Sequence, residues 1–161
     1  MKSYELFRTK TSDVGSLLLD VPKDYVLIPE WLQELSVTEE YDRKKEYHIT
    51  VIGDTLAKKI AEAGLTETVN AMIEHKTWNM EQLGTYVELA KNRDGINRRS
   101  IIQLISAPEV ILFIEDLASM LGQSIKSPVP HLTLYTKNYD RGIGIYNEDD
   151  LLRFAIKEIY P

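Results

Sequence analysis

Apolar residues follow two different periodicities along this chain, and the mixture predicts both strands and helices. Residues 47–52 (YHITVI) form a short run rich in Ile, Val and Thr, which predicts a buried strand ending at Gly53. Residues 131–137 (HLTLYTK) form a second such run. Helical spacing of apolar residues follows Gly53, recurs over 66–75 and recurs again over 108–121.

A hairpin is predicted between the helical segments. Residues 85–91 (TYVELAK) and 96–105 (INRRSIIQLI) are strand-like, and Asp94-Gly95 supplies a turn signal between them. Residues 142–146 (GIGIY) predict one more short strand after the second apolar run.

Secondary structure is harder to predict at the N-terminal end of the chain than at the C-terminal end. Residues 1–45 hold apolar runs too short and too broken by proline to assign, apart from a short helix expected around 29–35. At the other end, Asn147 is expected to cap a final helix with an inner face formed by Leu151, Leu152, Ala155, Ile156 and Ile159. The order of elements predicts an α+β fold in a single domain over residues 1–161.

The bulk composition narrows the class of protein. With 161 residues, 43% hydrophobic and 27% charged, the chain resembles an ordinary soluble globular domain. No apolar run approaches a membrane span, and residues 1–13 lack the apolar core of a signal peptide. The absence of cysteine excludes disulfides, thiolate chemistry and cysteine-based zinc sites. We therefore expect a cytoplasmic protein that does not bind membranes.

The formal net charge of −6 disfavours broad binding to long nucleic acid, which needs a basic face to release counterions. Basic residues nevertheless cluster modestly at Arg43-Lys44-Lys45, at Arg98-Arg99 and around Lys137 and Arg141. Each cluster has a plain interpretation as solvated surface. A local basic cleft for a small phosphate ligand is the functional alternative.

Two of the three histidines lie in the same short pattern, His-x-Thr. These are His48 with Thr50 and His131 with Thr133, each pair within a predicted strand. Residues two apart on a strand share a face, so each strand presents an imidazole and a hydroxyl together. Two imidazoles can act as acid and base near neutral pH, and threonine hydroxyls can donate to phosphate oxygens. The pattern therefore suits phosphodiester cleavage without a metal or other cofactor.

Aromatic and basic residues near the motifs are candidates for substrate binding. Tyr135 and Lys137 lie on the predicted face of His131, where the lysine can approach a phosphate and the tyrosine can stack on a base. Trp78, Tyr139 and Tyr146 are further candidates for stacking. Structural alternatives are a surface lysine and half-buried aromatic side chains. A metal site built on the two motif histidines lacks the usual ligand spacing, so no metal is expected.

The pair HITV (48–51) and HLTL (131–134) resembles the signature of the two-histidine (2H) phosphoesterase superfamily, two copies of His-x-Thr/Ser-x with a hydrophobic x. The resemblance implies a two-lobed fold of duplicated halves, each an antiparallel sheet backed by helices, with the motif strands facing each other across a central cleft. It also implies that one histidine activates water or a ribose hydroxyl while the other protonates the leaving ribose oxygen. The threonines would hold the phosphate. In relatives that open 2′,3′-cyclic phosphates the second-motif histidine is often the base, which here is His131, with His48 as the acid.

The leading hypothesis is a phosphodiesterase that cleaves a 2′- or 3′-linked phosphodiester of a nucleotide. Hydrolysis of 2′,3′-cyclic phosphates comes first, and degradation of cyclic di- or trinucleotide signals second. The latter activity belongs to the phage anti-CBASS members of the superfamily, which the sequence RGIGI (141–145) loosely resembles. Trimming of RNA 3′ ends fits the acidic chain less well. A nucleotide sensor without turnover, and a structural domain whose motifs coincide by chance, are the competing interpretations.

Overall fold

The computed structural model describes residues 3–6, 9–11 and 16–161, which form a mixed α+β fold with five α-helices and two antiparallel sheets. The prediction that residues 1–13 are not a signal peptide concerns a segment that lies partly outside the described residues. The strands are β1 (Ser3–Leu6), β2 (Thr9–Thr11), β3 (Leu17–Val21), β4 (Asp42–Arg43), β5 (Tyr47–Ile52), β6 (Trp78–Arg93), β7 (Ile96–Ser106), β8 (His131–Lys137) and β9 (Ala155–Ile159). The helices are α1 (Glu30–Thr38), α2 (Asp54–Glu62), α3 (Thr66–Glu74), α4 (Pro108–Leu121) and α5 (Glu148–Phe154).

None of the described helices combines the length and apolar character needed to cross a membrane.

The larger sheet has the order β1-β6-β7-β8-β4, with β9 also paired to β6, and the smaller sheet has the order β2-β3-β5. The β6–β7 hairpin turns at Asp94 and Gly95, both with positive φ, as a tight hairpin turn requires. Pairing in the hairpin is irregular between Gln82 and Tyr86, around Gly84 with its φ of +70°. The two halves of β6 consequently take different outer partners, β1 before this point and β9 after it.

Buried side chains form two clusters on opposite sides of β8. The main core contains Leu132 and Leu134 of β8 together with apolar residues of β3, β5, β7 and α4. The smaller cluster joins Ile102 of β7 to Ile143 and Ile145, with residues of α5 packed against it. Because Thr133 is the register partner of Ile102, the loop that carries Ile143 and Ile145 covers the His-x-Thr side of the larger sheet.

The strand over 47–52, the hairpin, the strand over 131–137 and the helices between them are confirmed, but the C-terminal end differs from its prediction. Helix α5 ends at Phe154, and Ala155–Ile159 form β9 against β6. The edge of β6 after Gly84 pairs with these residues in an antiparallel ladder that is irregular between Glu88 and Leu89. Leu152 and Ile156, predicted to lie on an inner helix face, are 72% and 49% exposed.

The short strand predicted over residues 142–146 is also wrong. This segment is a loop without strand pairing. Ile143 and Ile145 are nevertheless buried, 2% and 4% exposed. Both side chains pack into the smaller cluster, although the segment is a loop. Apolar residues alternating with glycine look the same in sequence whether they lie in a buried loop or in a strand.

Candidate functional site

The two motif strands meet where the two sheets approach each other. Strand β5, with His48 and Thr50, belongs to the smaller sheet, and β8, with His131 and Thr133, belongs to the larger one. Residues of β5 and β8 nevertheless come within 8 Å of each other, measured between Cα atoms. Both motifs therefore lie in one region of the molecule, although they belong to different sheets.

Burial alternates along the motif strands as the sequence predicts. The motif side chains are partly exposed: His48, Thr50, His131 and Thr133. The residues between and beside them are buried: Tyr47, Ile49, Val51, Leu132 and Leu134. The apolar members anchor each strand in the core, so the imidazoles and hydroxyls are carried on rigid supports.

A hydrogen bond to the backbone defines the tautomer of His131. Its Nδ1 lies 2.8 Å from the carbonyl oxygen of Val129. A carbonyl can only accept, so Nδ1 carries the proton and Nε2 of the neutral ring has a free lone pair. Burial lowers the pKa of His131 below its usual 6.5, an effect that the Val129 hydrogen bond only partly opposes. His131 is consequently neutral near pH 7 and able to accept a proton at Nε2.

His48 has an acidic neighbour that the sequence analysis missed. The β3–β5 register pairs Asp20 directly with His48. Directly paired residues of an antiparallel ladder project from the same face of the sheet. The carboxylate thus lies on the side of the sheet that carries His48, although Asp20 belongs to the segment 1–45 whose elements could not be assigned from sequence.

A glycine loop packs closely against Thr133. A Cβ atom added to Gly142 would lie only 2.8 Å from Thr133 Oγ1, so any larger residue would collide with the motif hydroxyl. Arg98 holds the loop from the other side, donating from Nη2 to the carbonyl oxygens of Gly142 at 3.0 Å and Arg141 at 3.4 Å. Its guanidinium also lies 4.0 Å from the ring centroid of Tyr139.

Arg98 is only 8% exposed, so the interpretation of Arg98-Arg99 as solvated surface is wrong for this residue. Arg99 is also committed to structure, since its Nη1 donates to Glu88 at 2.7 Å. Neither role could be found from sequence, because each depends on a partner outside the local segment. The glycine spacing of 142–146 is visible in the sequence, but it predicts a strand there and not a loop.

A cavity of about 390 Å³ lies beside the first motif. Thr50 lines it, as does Val129, the residue whose carbonyl orients His131. Tyr146 forms part of its wall. The remaining lining residues come from the segment 51–59, from α4 and from the segments 124–128 and 145–150: Val51, Gly53, Thr55, Leu56, Lys59, Ile114, Ser124, Ile125, Lys126, Pro128, Ile145, Asn147 and Asp150.

Tyr135 does not share the face of His131, which corrects the prediction for this residue. The β7–β8 register shifts, with Ile102 opposite Thr133 but Ile101 opposite Tyr135, so the regular alternation breaks at Leu134. Tyr135 is 2% exposed and packs in the main core. A ring so deeply buried offers no face to a base.

Lys137 lies at a different cavity from Thr50. Its Nζ donates to the carbonyl oxygen of Glu39 at 2.8 Å and lies 5.8 Å from the ring centroid of Tyr41. It borders a separate cavity of about 350 Å³, together with Glu88 and Arg99. The proposed contact of Lys137 with the substrate phosphate therefore has no support in the geometry.

The part of the chain that the structure describes contains no group of three or more His, Cys, Asp or Glu side chains that could hold a metal ion. Comparison of the chain with protein-family models, with curated proteins and with solved structures finds no match. The chemistry of the site is therefore the basis for proposing a function.

Proposed function

We propose that this protein is a metal-independent phosphodiesterase that cleaves a 2′- or 3′-linked phosphodiester of a nucleotide by two-histidine acid–base catalysis. The observation that carries the proposal is the geometry of His131. Its Nδ1–H is directed to the Val129 carbonyl, and its depressed pKa leaves Nε2 unprotonated near neutral pH. These are the properties of a general base, in the motif where the 2H resemblance implies one.

The proposed reaction balances with these residues alone. His131 Nε2 takes a proton from the attacking water or hydroxyl as its oxygen bonds to phosphorus. The bond from phosphorus to the leaving ribose oxygen breaks, and His48 gives that oxygen a proton. As the acid of the proposed step, His48 must start with both ring nitrogens protonated. Asp20, its register partner, lies on the same face of the sheet. The step leaves His131 protonated and His48 neutral, and proton exchange with solvent restores both rings before the next turnover.

Thr50 and Thr133 are proposed to donate to the nonbridging phosphate oxygens. Each hydroxyl lies two residues after its histidine on a rigid strand, so it projects on the same side as the imidazole. Donors fixed in advance stabilise the charge that develops on phosphate in the transition state. The close approach of Gly142 to Thr133 limits the positions open to that hydroxyl.

The proposed substrate is small. The net charge of −6 opposes a long polyanion, whereas a mononucleotide or small cyclic oligonucleotide needs only a local site. Hydrolysis of 2′,3′-cyclic phosphates is the first form of the proposal, and cleavage of cyclic di- or trinucleotides is the second. In this proposal β5 and β8 are the counterparts of the two facing motif strands of the 2H fold.

A panel assay tests the proposal. The purified protein is incubated in EDTA with the four 2′,3′-cyclic mononucleotides, with 3′–5′ and 2′–5′ linked cyclic di- and trinucleotides, and with a short RNA, and products are resolved by mass. We expect turnover of a small substrate class. Binding without product would favour the sensor interpretation, and activity that EDTA abolishes would contradict the mechanism.

A further inference from the structure

We propose that the cavity between α2, the segment 124–129 and Tyr146 is a subsite for one nucleobase of the substrate, with Tyr146 as its stacking wall. The inference deepens the proposed function and rests on it for the identity of the ligand. It adds a place for the base to a site whose histidines and threonines account only for the phosphate.

The cavity meets the first motif at Thr50 and approaches the second through Val129, two residues before His131; the motif histidines themselves do not line it. Thr50, a proposed phosphate donor, lines the cavity, and so does Val129, which orients His131. A phosphate at Thr50 therefore leaves its attached nucleoside next to the cavity. The cavity at Lys137, by contrast, has no motif threonine in its described lining.

The ring of Tyr146 packs closely against two glycines, Gly53 and Gly144. A Cβ atom added to Gly53 would lie 2.5 Å from its Cε1, and one added to Gly144 would lie 3.1 Å from its hydroxyl oxygen. The backbone N–H of Tyr146 donates to Asp150 Oδ2 at 3.0 Å, which holds the backbone of Tyr146 against the start of α5. Tyr146 is nevertheless 51% exposed, so part of its surface stays open to a ligand.

The remaining lining matches a flat, polar-edged heterocycle better than a purely apolar ligand. Leu56 and Ile125 supply apolar surface, while Thr55 and Ser124 supply hydroxyls at the rim. A volume of about 390 Å³ is near the lower end of the range for ligand pockets, about 300–1,000 Å³. One base with its ribose fits this size, whereas an oligonucleotide does not.

Two lysines at the rim have different roles. Lys126 forms an ion pair with Asp149. Lys59 lines the cavity and forms no ion pair with the side chains of residues 16–161. A lysine at this position is suited to the phosphate of a nucleotide, so the phosphate would lie towards Lys59 and the base towards Tyr146.

The test measures binding of adenosine, guanosine, cytidine and uridine 3′-monophosphates, with ribose phosphate lacking a base as the reference probe. Tyr146→Ala should weaken binding of the preferred nucleotide about 5- to 100-fold, the cost of one lost base–aromatic contact. It should leave binding of ribose phosphate unchanged. Tyr146→Phe should retain wild-type binding, and Tyr160→Ala, which removes a 69% exposed tyrosine elsewhere, is the matched control.

A second measurement uses the unmodified protein, so it does not depend on how a variant folds. A photoreactive azido- or thio-substituted nucleoside 3′-monophosphate should crosslink within the segments 53–59, 124–129 or 145–150. Crosslinking confined to other segments would overturn the subsite, as would equal loss of nucleotide and ribose phosphate binding in Tyr146→Ala.

Failure of the subsite and failure of the proposed function give different results. Turnover of a nucleotide with kinetics that Tyr146→Ala leaves unchanged would remove the subsite and keep the phosphodiesterase. Nucleotide binding that depends on Tyr146, with no turnover of any substrate in the panel, would keep the subsite and remove the phosphodiesterase.

Discussion

Strands β5 and β8 carry nearly the same four residues, HITV and HLTL, in different surroundings. Strand β8 is internal to the larger sheet, with β7 on one side and β4 on the other, whereas β5 pairs in the smaller sheet with β3. His131 is bound through Nδ1 to the Val129 carbonyl, and His48 lies opposite Asp20. One motif thus has a neutral acceptor beside its imidazole, and the other has a carboxylate across the ladder.

In the proposed mechanism, this difference allows one short motif to supply two opposite proton-transfer roles. A histidine depends on its neighbours for its tautomer and its charge. The His131 environment favours the neutral ring that a base needs. The register partner of His48 is instead the acidic residue Asp20. The strands supply equivalent geometry, and the surrounding residues supply the asymmetry.

The largest expected effect comes from removing either imidazole. His48→Ala and His131→Ala should each lower kcat about 100- to 10,000-fold, because each removes one proton-transfer role. The double variant should lose little more, since the two groups act as a unit. Turnover in EDTA, with thermal unfolding as the check on folding, measures this.

His75→Ala is the matched control, because His75 lies exposed at the C-terminal end of α3. Full activity in either motif variant would contradict two-histidine catalysis. Loss of stability in both variants without any measurable activity in the wild type would favour a structural role for the motifs.

A smaller loss of activity is expected from a substitution that disturbs Thr133 of the second motif and leaves the first motif unchanged. Gly142→Ala places a Cβ atom 2.8 Å from Thr133 Oγ1 and disturbs the second motif alone. We expect kcat to fall by up to about 100-fold, the range for an ångström-scale displacement of a reacting group.

Gly144→Ala is the comparison within the same loop. Its added Cβ would approach Tyr146 Cε2 at 3.0 Å and not Thr133. It should therefore raise KM more than it lowers kcat. Equal kinetic changes in the two glycine variants would mean that the loop acts as a single unit and that Gly142 has no particular effect on Thr133.

The smallest effect is a pH dependence that distinguishes the two histidines. As a base, His131 must be neutral, so kcat/KM should fall about tenfold per pH unit once the pH drops below its pKa. Because burial lowers that pKa from 6.5, the acidic limb should appear below pH 6.5. In His48→Ala the residual activity should keep this limb, and in His131→Ala it should lose it. The reverse pattern would exchange the acid and base assignments.

Much of the framework was accessible from local signals. The strands at 47–52 and 131–137, the Asp94-Gly95 hairpin and the helix over 108–121 follow from periodicity and turn residues. The partial exposure of His48, Thr50, His131 and Thr133 follows from strand alternation. Predictions failed where a distant partner decided the outcome, as for Ala155–Ile159, which complete the edge of β6.

The side-chain environments of the site were not accessible in this way. Tyr135 turns into the core because the β7–β8 register shifts, and nothing in HLTLYTK signals that shift. Arg98 appears as a surface charge in sequence but supports the glycine loop through two carbonyl oxygens 43 and 44 residues away. Asp20 lies in a segment with no clear pattern and becomes relevant only through its pairing with His48.

The amino-acid sequence alone predicts which functional groups share a strand face: an imidazole and a hydroxyl on each of two strands. It can do so because strand alternation is a local property of the backbone. Folding in three dimensions sets which imidazole is neutral, which aromatic ring stays open and where a cavity forms beside Thr50. Those properties depend on contacts between residues far apart in the chain, from the Asp20–His48 register to the packing of Tyr146 against Gly53.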